Sequence, residues 1–223
     1  IYFGGGSPSL LPHDKIIQLL GQVRTQFSLQ EQLEVTLEVN PDDVTQKYLR
    51  ELKQAGVNRL SLGIQSFHEK DLRLMNRAHS QEQAFNALKW VSQVFTNFSV
   101  DLIYGLPHQS VFTFDETLKQ IIDLRPDRVS IFNYAHLPER FSPQKRILVS
   151  DLPAPNEKLE ILSLCIERLT GAGYVYIGMD HFALPDDELA IAQKEGTLHR
   201  NFQGYSTYAD CDLLALGVTG ISH

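Results

Sequence analysis

Residues 1–9 read IYFGGGSPS, so a short apolar segment runs directly into three glycines. Glycine allows a backbone to turn sharply or to approach another group closely, because it has no Cβ atom. The segment therefore predicts a β-strand that ends in a tight loop. A triple glycine alone is weak evidence for a ligand site, since a simple strand-to-helix turn has the same composition.

The order of strand followed by helix recurs along the chain. Further strand-like apolar runs begin at Val35, Arg59, Ser99, Arg128 and Tyr174, and amphipathic helical patterns separate them. The connections are short and no antiparallel hairpin signal is visible, which favours parallel strands joined by crossover helices. We therefore predict an α/β fold, a partial (β/α) barrel of parallel strands with outer helices.

Helix starts can also be located. Ser80 with Gln83, and Thr113 with Glu116, match the spacing of a capping box. The acidic run 186–188 follows a proline and predicts the first turn of another helix.

Composition restricts the classes of partner. The net charge is −7 and no Lys/Arg-rich block exists, which argues against nucleic acid. The apolar stretches are strand-sized, shorter than the ~20 residues of a membrane span, so we expect no membrane partner. The two cysteines, Cys165 and Cys211, form no C-x-x-C pair, which predicts a cytoplasmic protein and no metal-binding cysteine cluster within this chain.

Small, acidic, amide and imidazole groups follow the predicted strands. In (β/α) barrels the functional groups lie at the carboxyl ends of the strands. The groups found there are residues 4–7, 38–41, 65–66, Asp101 with 104–107, 133–136 and 180–181. They suit a polar cofactor that carries hydroxyl groups and an amino group.

Several of these residues have two interpretations. Glu38 and Asp101 lie in otherwise apolar strands, where a carboxylate needs a partner, either a ligand or an Arg/Lys of the barrel. Gln65 is a ligand donor or a loop cap. Arg77 is a two-pronged ligand for a carboxylate or a surface arginine.

The order GGGSPS, LEVNP, GVNRLSLGIQSF, LMNRAH and DLIYGLPHQS resembles the radical S-adenosylmethionine (SAM) enzymes. More narrowly, it is similar to the branch that contains the oxygen-independent coproporphyrinogen III oxidases. The second half of the chain, with FNYAHLPERFSPQKRI and IGMDHFALPDDELA, is similar to the oxidases and not to their haem-chaperone-like relatives. The predicted fold thereby becomes a radical-SAM-type barrel.

The resemblance implies roles for individual residues. The residues implied to bind SAM are Gly5, Gly6, Ser7, Glu38, Gln65, Arg77, Asp101 and Ala135. The branch binds two SAM molecules, and Gln203 and Ile221 correspond to positions associated with the second one. Phe202 and Gln203 match a stretch needed for activity. His199 and Arg200 are candidates to bind substrate carboxylates, with a loop salt bridge as their alternative role.

The resemblance also implies that the chain is a fragment. The branch holds a [4Fe–4S] cluster through a CxxxCxxC loop upstream of the glycines, so the cluster cysteines are expected before residue 1 and the first barrel strand is expected to be missing. We predict a radical SAM core at 1–172, and at 173–223 an extension leading to an absent C-terminal domain. Such a fragment is expected to be inactive alone.

The implied activity converts two propionate groups of coproporphyrinogen III to vinyl groups, giving protoporphyrinogen IX in haem biosynthesis. The radical that starts it comes from SAM. The implied partners are this substrate and an electron donor such as flavodoxin or ferredoxin, and the implied state is a monomer. A haem-binding or haem-delivery protein on the same scaffold is the alternative, and stoichiometric haem binding without turnover would favour it.

Overall fold

The computed structural model describes residues 1–201, 204–218 and 220–222. The strands are β1 (Tyr2–Phe3), β2 (Thr36–Val39), β3 (Arg59–Gln65), β4 (Phe98–Tyr104), β5 (Arg128–Asn133), β6 (Val175–Gly178), β7 (His181–Ala183), β8 (His199–Asn201) and β9 (Gly204–Ser206). The α-helices are α1 (His13–Gln26), α2 (Gln46–Ala55), α3 (Glu69–Leu74), α4 (Gln81–Val94), α5 (Val111–Leu124), α6 (Pro155–Gly171) and α7 (Glu188–Glu195).

The main sheet has the strand order β1-β2-β3-β4-β5-β7-β6. All neighbouring pairs from β1 to β5 are parallel, and a helix connects each of these strands to the next. This arrangement confirms the predicted α/β class and brings the carboxyl ends of five strands to one edge. The proposed division of the chain at residue 172 stays a prediction.

The end of the sheet corrects the sequence-based topology. The run from Tyr174 is predicted as one strand, but it forms the antiparallel pair β6 and β7, and β7 is also antiparallel to β5. The chain reverses where Gly178 and Met179 adopt positive φ angles of 139° and 50°. Continuous apolar character cannot reveal such a reversal, because the segment contains none of the usual hairpin dipeptides.

The helix caps follow the sequence in one case and differ in another. Ser80 and Gln83 form the predicted capping box at the start of α4. The box predicted from Thr113 and Glu116 is wrong, because α5 begins earlier. Its N-cap is Ser110, whose hydroxyl accepts from the Thr113 backbone N–H while the Thr113 side chain accepts from the Ser110 N–H.

The central strands are apolar on the face that packs against the helices. Leu60, Leu62 and Ile64 of β3 and Val100 and Leu102 of β4 are fully shielded from solvent by the surrounding helices. The alternate residues of the same strands lie on the opposite face and include polar groups. None of the helices in the described ranges is both long and apolar enough to cross a lipid bilayer.

An ion-pair network closes the amino-terminal edge of the sheet. Arg59 lies 3.3 Å from Glu34 and 3.7 Å from Asp187, while Arg128 lies 2.8 Å from both Asp187 and Glu188. Asp187 is also the N-cap of α7, which confirms that the acidic run begins a helix. The buried guanidinium groups therefore have charged partners within the chain.

Candidate functional site

A cavity of about 200 Å³ lies at the carboxyl ends of β1 to β3, beside β4. Its lining comes from three strands (β2, β3 and β4), residues 6–9 of the glycine loop and the turn after it, Asn40 after β2, and the loop before α4. The predicted residues that line it are Gly6, Ser7, Glu38, Gln65, Arg77 and Asp101. The fold thus brings together residues that are up to 95 positions apart in the sequence.

The glycine loop needs its glycines for steric and conformational reasons. Gly5 and Gly6 have φ angles of 75° and 71°, a region that residues with a Cβ rarely adopt. A Cβ on Gly4 would collide with the Tyr2 ring and would lie 2.9 Å from Glu38 Oε1. The glycines therefore allow the loop backbone to pass close to the Glu38 side chain.

Glu38 is held by neutral donors. The Tyr2 hydroxyl donates to Oε1 at 2.6 Å, and the Gly5 backbone N–H donates to Oε2 at 3.1 Å. No lysine or arginine in the described ranges forms an ion pair with this carboxylate. Its negative charge is therefore oriented but not neutralised, and the barrel salt bridge considered from the sequence is not present in these ranges.

Asp101 is the second carboxylate of the cavity. Burial raises its pKa to about 6, and the nearby Glu38 acts in the same direction. Hydrogen bonds from Ser130 and Ser61 (Oγ to Oδ2, 3.2 Å) lower the pKa and only partly offset burial. A cationic ligand would stabilise the ionised form of such a group.

Asn40 connects the glycine loop to Arg77. Its Nδ2 donates to Ser7 Oγ at 3.0 Å, and its Oδ1 accepts from Arg77 Nη1 at 3.2 Å. Its backbone N–H donates to Ser9 Oγ at 3.2 Å. Since this hydrogen-bond partner of Arg77 is a neutral amide, the guanidinium retains its charge for an anionic group in the cavity.

Gln65 occupies a strained position at the end of β3. Its φ angle is 68°, and the pairing of β3 with β4 shifts register between Gly63 and Gln65. The carboxamide lies across Gly63, because a Cβ on that glycine would lie 2.9 Å from Gln65 Nε2. Strained non-glycine residues often occur at binding sites, where they fix the direction of a side chain.

Gly5 is not itself among the lining residues, although its N–H contacts Glu38, and two further predicted residues lie away from the cavity. Ala135 is exposed, and its carbonyl accepts from Gln144 Nε2 at 3.1 Å. Ile221 is also exposed. Neither is among the residues that line the cavity, so their assignment to SAM stays a prediction.

The candidates for the substrate lie on the small β8–β9 sheet. His199 and Arg200 are exposed, and the Arg200 guanidinium lies 5.6 Å from the centre of the Tyr205 ring. No ion pair joins Arg200 to α7 within the described ranges. Phe202 and Gln203 fall outside the described residues.

Four residues of the site were not predicted from the sequence, namely Tyr2, Ser9, Ser61 and Gly63. Residues 61, 63 and 65 alternate along β3, and alternate residues of a strand share a face. That spacing was the available signal for Ser61 and Gly63. The contact of Tyr2 with Glu38 crosses 36 positions of sequence and had no local signal.

The described residues do not fit an iron–sulfur cluster. No group of three His, Cys, Asp or Glu side chains among them lies close enough to hold a metal ion. Cys165 is buried, which raises the pKa of its thiol, while Cys211 is exposed. No cluster ligand can be assigned in the described part of the chain.

Similar proteins share both the sequence and the fold. Oxygen-independent coproporphyrinogen III oxidases of Escherichia coli (strain K12) and Pseudomonas aeruginosa are 48% and 46% identical over the whole chain, which covers 49% of each. The solved coproporphyrinogen III oxidase of Escherichia coli matches 99% of the chain with a TM-score of 0.93, and 51% of that protein is covered.

The archaeal Elp3 of Methanocaldococcus infernus, 21% identical with a TM-score of 0.59, shares the fold alone and matches 74% of this chain and 43% of its own length. The chain spans about half the length of the curated relatives it matches. The model of the Radical SAM superfamily matches residues 1–121, more than half of the chain. The 223 residues therefore belong to the Radical SAM superfamily.

Proposed function

We propose that this chain forms the SAM-binding part of an oxygen-independent coproporphyrinogen III oxidase. The observation that carries the proposal is the cavity at the carboxyl edge, in which two carboxylates and one guanidinium face a common space beside a glycine loop. The proposal also draws on the relatives, which bear the name of this oxidase and are 46–48% identical. That name supports the oxidase and gives no support to the haem-delivery alternative.

The charges of the cavity fit SAM. SAM carries a carboxylate, an ammonium group and a positively charged sulfur, so it needs both signs of charge in its site. Arg77 is available for the carboxylate, while Glu38 and Asp101 are available for the ammonium, the sulfonium or the ribose hydroxyls. Gly5 and Gly6 permit the backbone to approach the methionine end without a steric clash.

The residues of this chain contribute binding and orientation. When bound, SAM and a [4Fe–4S] cluster supply the radical that removes a hydrogen atom from the β-carbon of a propionate group. Loss of CO2, and of one electron to an external acceptor, would then leave a vinyl group, and the conversion would take place twice for each molecule of substrate. The strained Gln65 and the fixed Glu38 restrict the orientation of the ligand in the cavity.

The proposal extends to parts that this chain alone does not define. We expect two SAM molecules, with Gln203 and Ile221 near the second, and Phe202 and Gln203 required for turnover. The cluster ligands would come from the remainder of the full-length polypeptide. We further propose that the full-length protein is a cytoplasmic monomer that receives electrons from flavodoxin or ferredoxin. It is expected to bind neither nucleic acid nor membranes.

The experiment uses the full-length protein, reconstituted anaerobically with iron and sulfide. Coproporphyrinogen III, SAM and a reductant are added, and the porphyrins are oxidised and separated by chromatography. Protoporphyrin formation that depends on SAM supports the proposal, whereas stoichiometric haem binding without turnover would refute it. SAM cleavage by the isolated 223-residue chain would contradict the expectation that this piece is inactive alone.

A further inference from the structure

A lysine reaches the carboxyl edge of the sheet from helix α6. Lys158 lies in the first turns of α6, and its aliphatic stem packs over Gly105, directly after β4. A Cβ on Gly105 would lie 2.9 Å from Lys158 Cε and 3.3 Å from Cδ. The glycine therefore provides the space that the lysine stem occupies.

Hydrogen bonds fix the backbone against which this lysine packs. Gly105 has a φ angle of 81°, and its N–H donates to Gln109 Oε1 at 2.7 Å. The Gln109 amide in turn donates to Asp71 at 3.0 Å. On the other side lie the Asn133 side chain at the end of β5 and the Tyr134 carbonyl. The half-buried ammonium group is thus positioned by two strand ends.

The described part of the chain gives this ammonium group no anionic partner. Its hydrogen bond to the Tyr134 carbonyl is 3.5 Å long, the outer limit for such a bond. The positions three and four residues away on the helix are Pro155, Ala154, Ile161 and Leu162, so no carboxylate lies at ion-pair spacing.

Helix stability does not explain the lysine either. A positive charge near the amino end of a helix is unfavourable, because the helix dipole is positive there. The position of Lys158 is the feature that remains to explain it. The lysine lies one strand further along the same edge that holds the SAM cavity between β1 and β4. A molecule that reacts with a group in this cavity would extend along that edge.

We propose that Lys158 binds a propionate carboxylate of the substrate and so positions the reacting side chain beside the cavity. This inference rests on the proposed function, since that function makes the substrate a tetracarboxylate. It adds a cation that comes from a helix to the exposed pair His199 and Arg200, which lies on β8.

The experiment compares Lys158→Met and Lys158→Arg with the unaltered full-length protein. Lys158→Met retains the aliphatic stem over Gly105 and removes the charge. Lys89→Met, on the exposed face of α4, is the matched control. Binding of coproporphyrin III, the stable oxidised porphyrin, is followed by absorbance titration, and KM and SAM affinity are measured separately.

We expect Lys158→Met to weaken coproporphyrin III binding and to raise the KM by about tenfold, the effect of one lost charge-assisted hydrogen bond. SAM affinity should not change, and Lys158→Arg should recover most of the loss. Unchanged porphyrin binding in Lys158→Met would overturn the inference about Lys158. If the unaltered protein still turned the substrate over, the proposed function would stand.

The opposite failure is also distinguishable. An unaltered protein that binds coproporphyrin III through Lys158 but does not convert the substrate would refute the proposed reaction and keep the carboxylate site. An unaltered protein that neither binds this porphyrin nor turns the substrate over would overturn both.

Discussion

Charged side chains at the two edges of the sheet have different kinds of partner. At the amino-terminal edge, Arg59 and Arg128 are paired with Asp187 and flanking glutamates at 2.8–3.7 Å. At the carboxyl edge, Glu38 and Asp101 accept hydrogen bonds from neutral donors within the described part of the chain. Charged residues therefore lie at both edges, but those at the amino-terminal edge have partners of opposite charge and those two at the carboxyl edge have none among the described residues.

The difference separates a structural from a functional use of charge. Paired charges neutralise each other and fix strands and helices in place, whereas oriented but unneutralised charges retain their attraction for a ligand. Arg77, whose partner is an amide, and Lys158, whose partner is a carbonyl, follow the same rule at the carboxyl edge. The predictions below test this contrast.

The largest effect is expected at the amino-terminal edge. Asp187→Asn leaves the cap hydrogen bond of α7 possible but removes the charge shared by Arg59 and Arg128. The free energy of unfolding should fall by about 3 kcal/mol, as for other broken buried ion pairs, without a change in SAM affinity. Urea denaturation measures the loss, with exposed Asp186→Asn as the control; equal stability of the two variants would remove the contrast between the edges.

Asp101→Asn should act in the opposite direction on stability. The pKa of Asp101 is about 6 in the folded protein, above its ordinary value of 3.8. The folded state therefore binds more protons than the unfolded state between these values, and stability is lost as the pH rises from about 4 to 6.

The asparagine variant lacks this dependence and should be more stable at pH 7, by at most about 3 kcal/mol. Its SAM affinity should nevertheless decrease. Urea denaturation at pH 4.5 and pH 7 gives the two stabilities. The same pH dependence of stability in both proteins would show that Asp101 does not cause the loss of stability between about pH 4 and 6.

Glu38→Gln should weaken SAM binding by about 10- to 100-fold, the range for hydrogen bonds to a charged group. The stability should change little, because the side chain keeps its size and the Tyr2 contact. Equilibrium dialysis with labelled SAM measures the affinity. Glu116→Gln, at a partly exposed glutamate on α5 that pairs with Lys119, is the control, and equal affinity in the two variants would exclude Glu38 from the site.

The smallest effect is expected for Tyr2→Phe. The variant removes the hydroxyl that donates to Glu38 Oε1 at 2.6 Å and leaves the ring in place. One orienting hydrogen bond is worth about 1 kcal/mol, so SAM affinity should fall about fivefold. In the double variant with Glu38→Gln, the loss of SAM-binding free energy should be smaller than the sum of the two single losses, since both changes act through the same carboxylate. Full additivity would show that Tyr2 acts independently.

The sequence alone determined the parallel α/β architecture and most of the cavity. Periodicity predicted the strands and helices, and the rule for strand ends selected Glu38, Gln65 and Asp101 from the sequence pattern. Family resemblance added Arg77, which residue chemistry alone assigned more readily to the surface. These results were accessible because parallel strands bring their ends to one edge whatever the details of packing.

Only the tertiary structure decided the reversal between β6 and β7, the neutral partners of Glu38, and the place of Lys158. The reversal depends on backbone angles at Gly178 and Met179 that the apolar pattern does not encode. Tyr2 and Glu38 are 36 positions apart, and Lys158 lies 53 positions from Gly105. An inspection of strand ends finds no lysine, because this one comes from a helix. Contacts between distant segments arise from three-dimensional packing, which local sequence patterns do not specify.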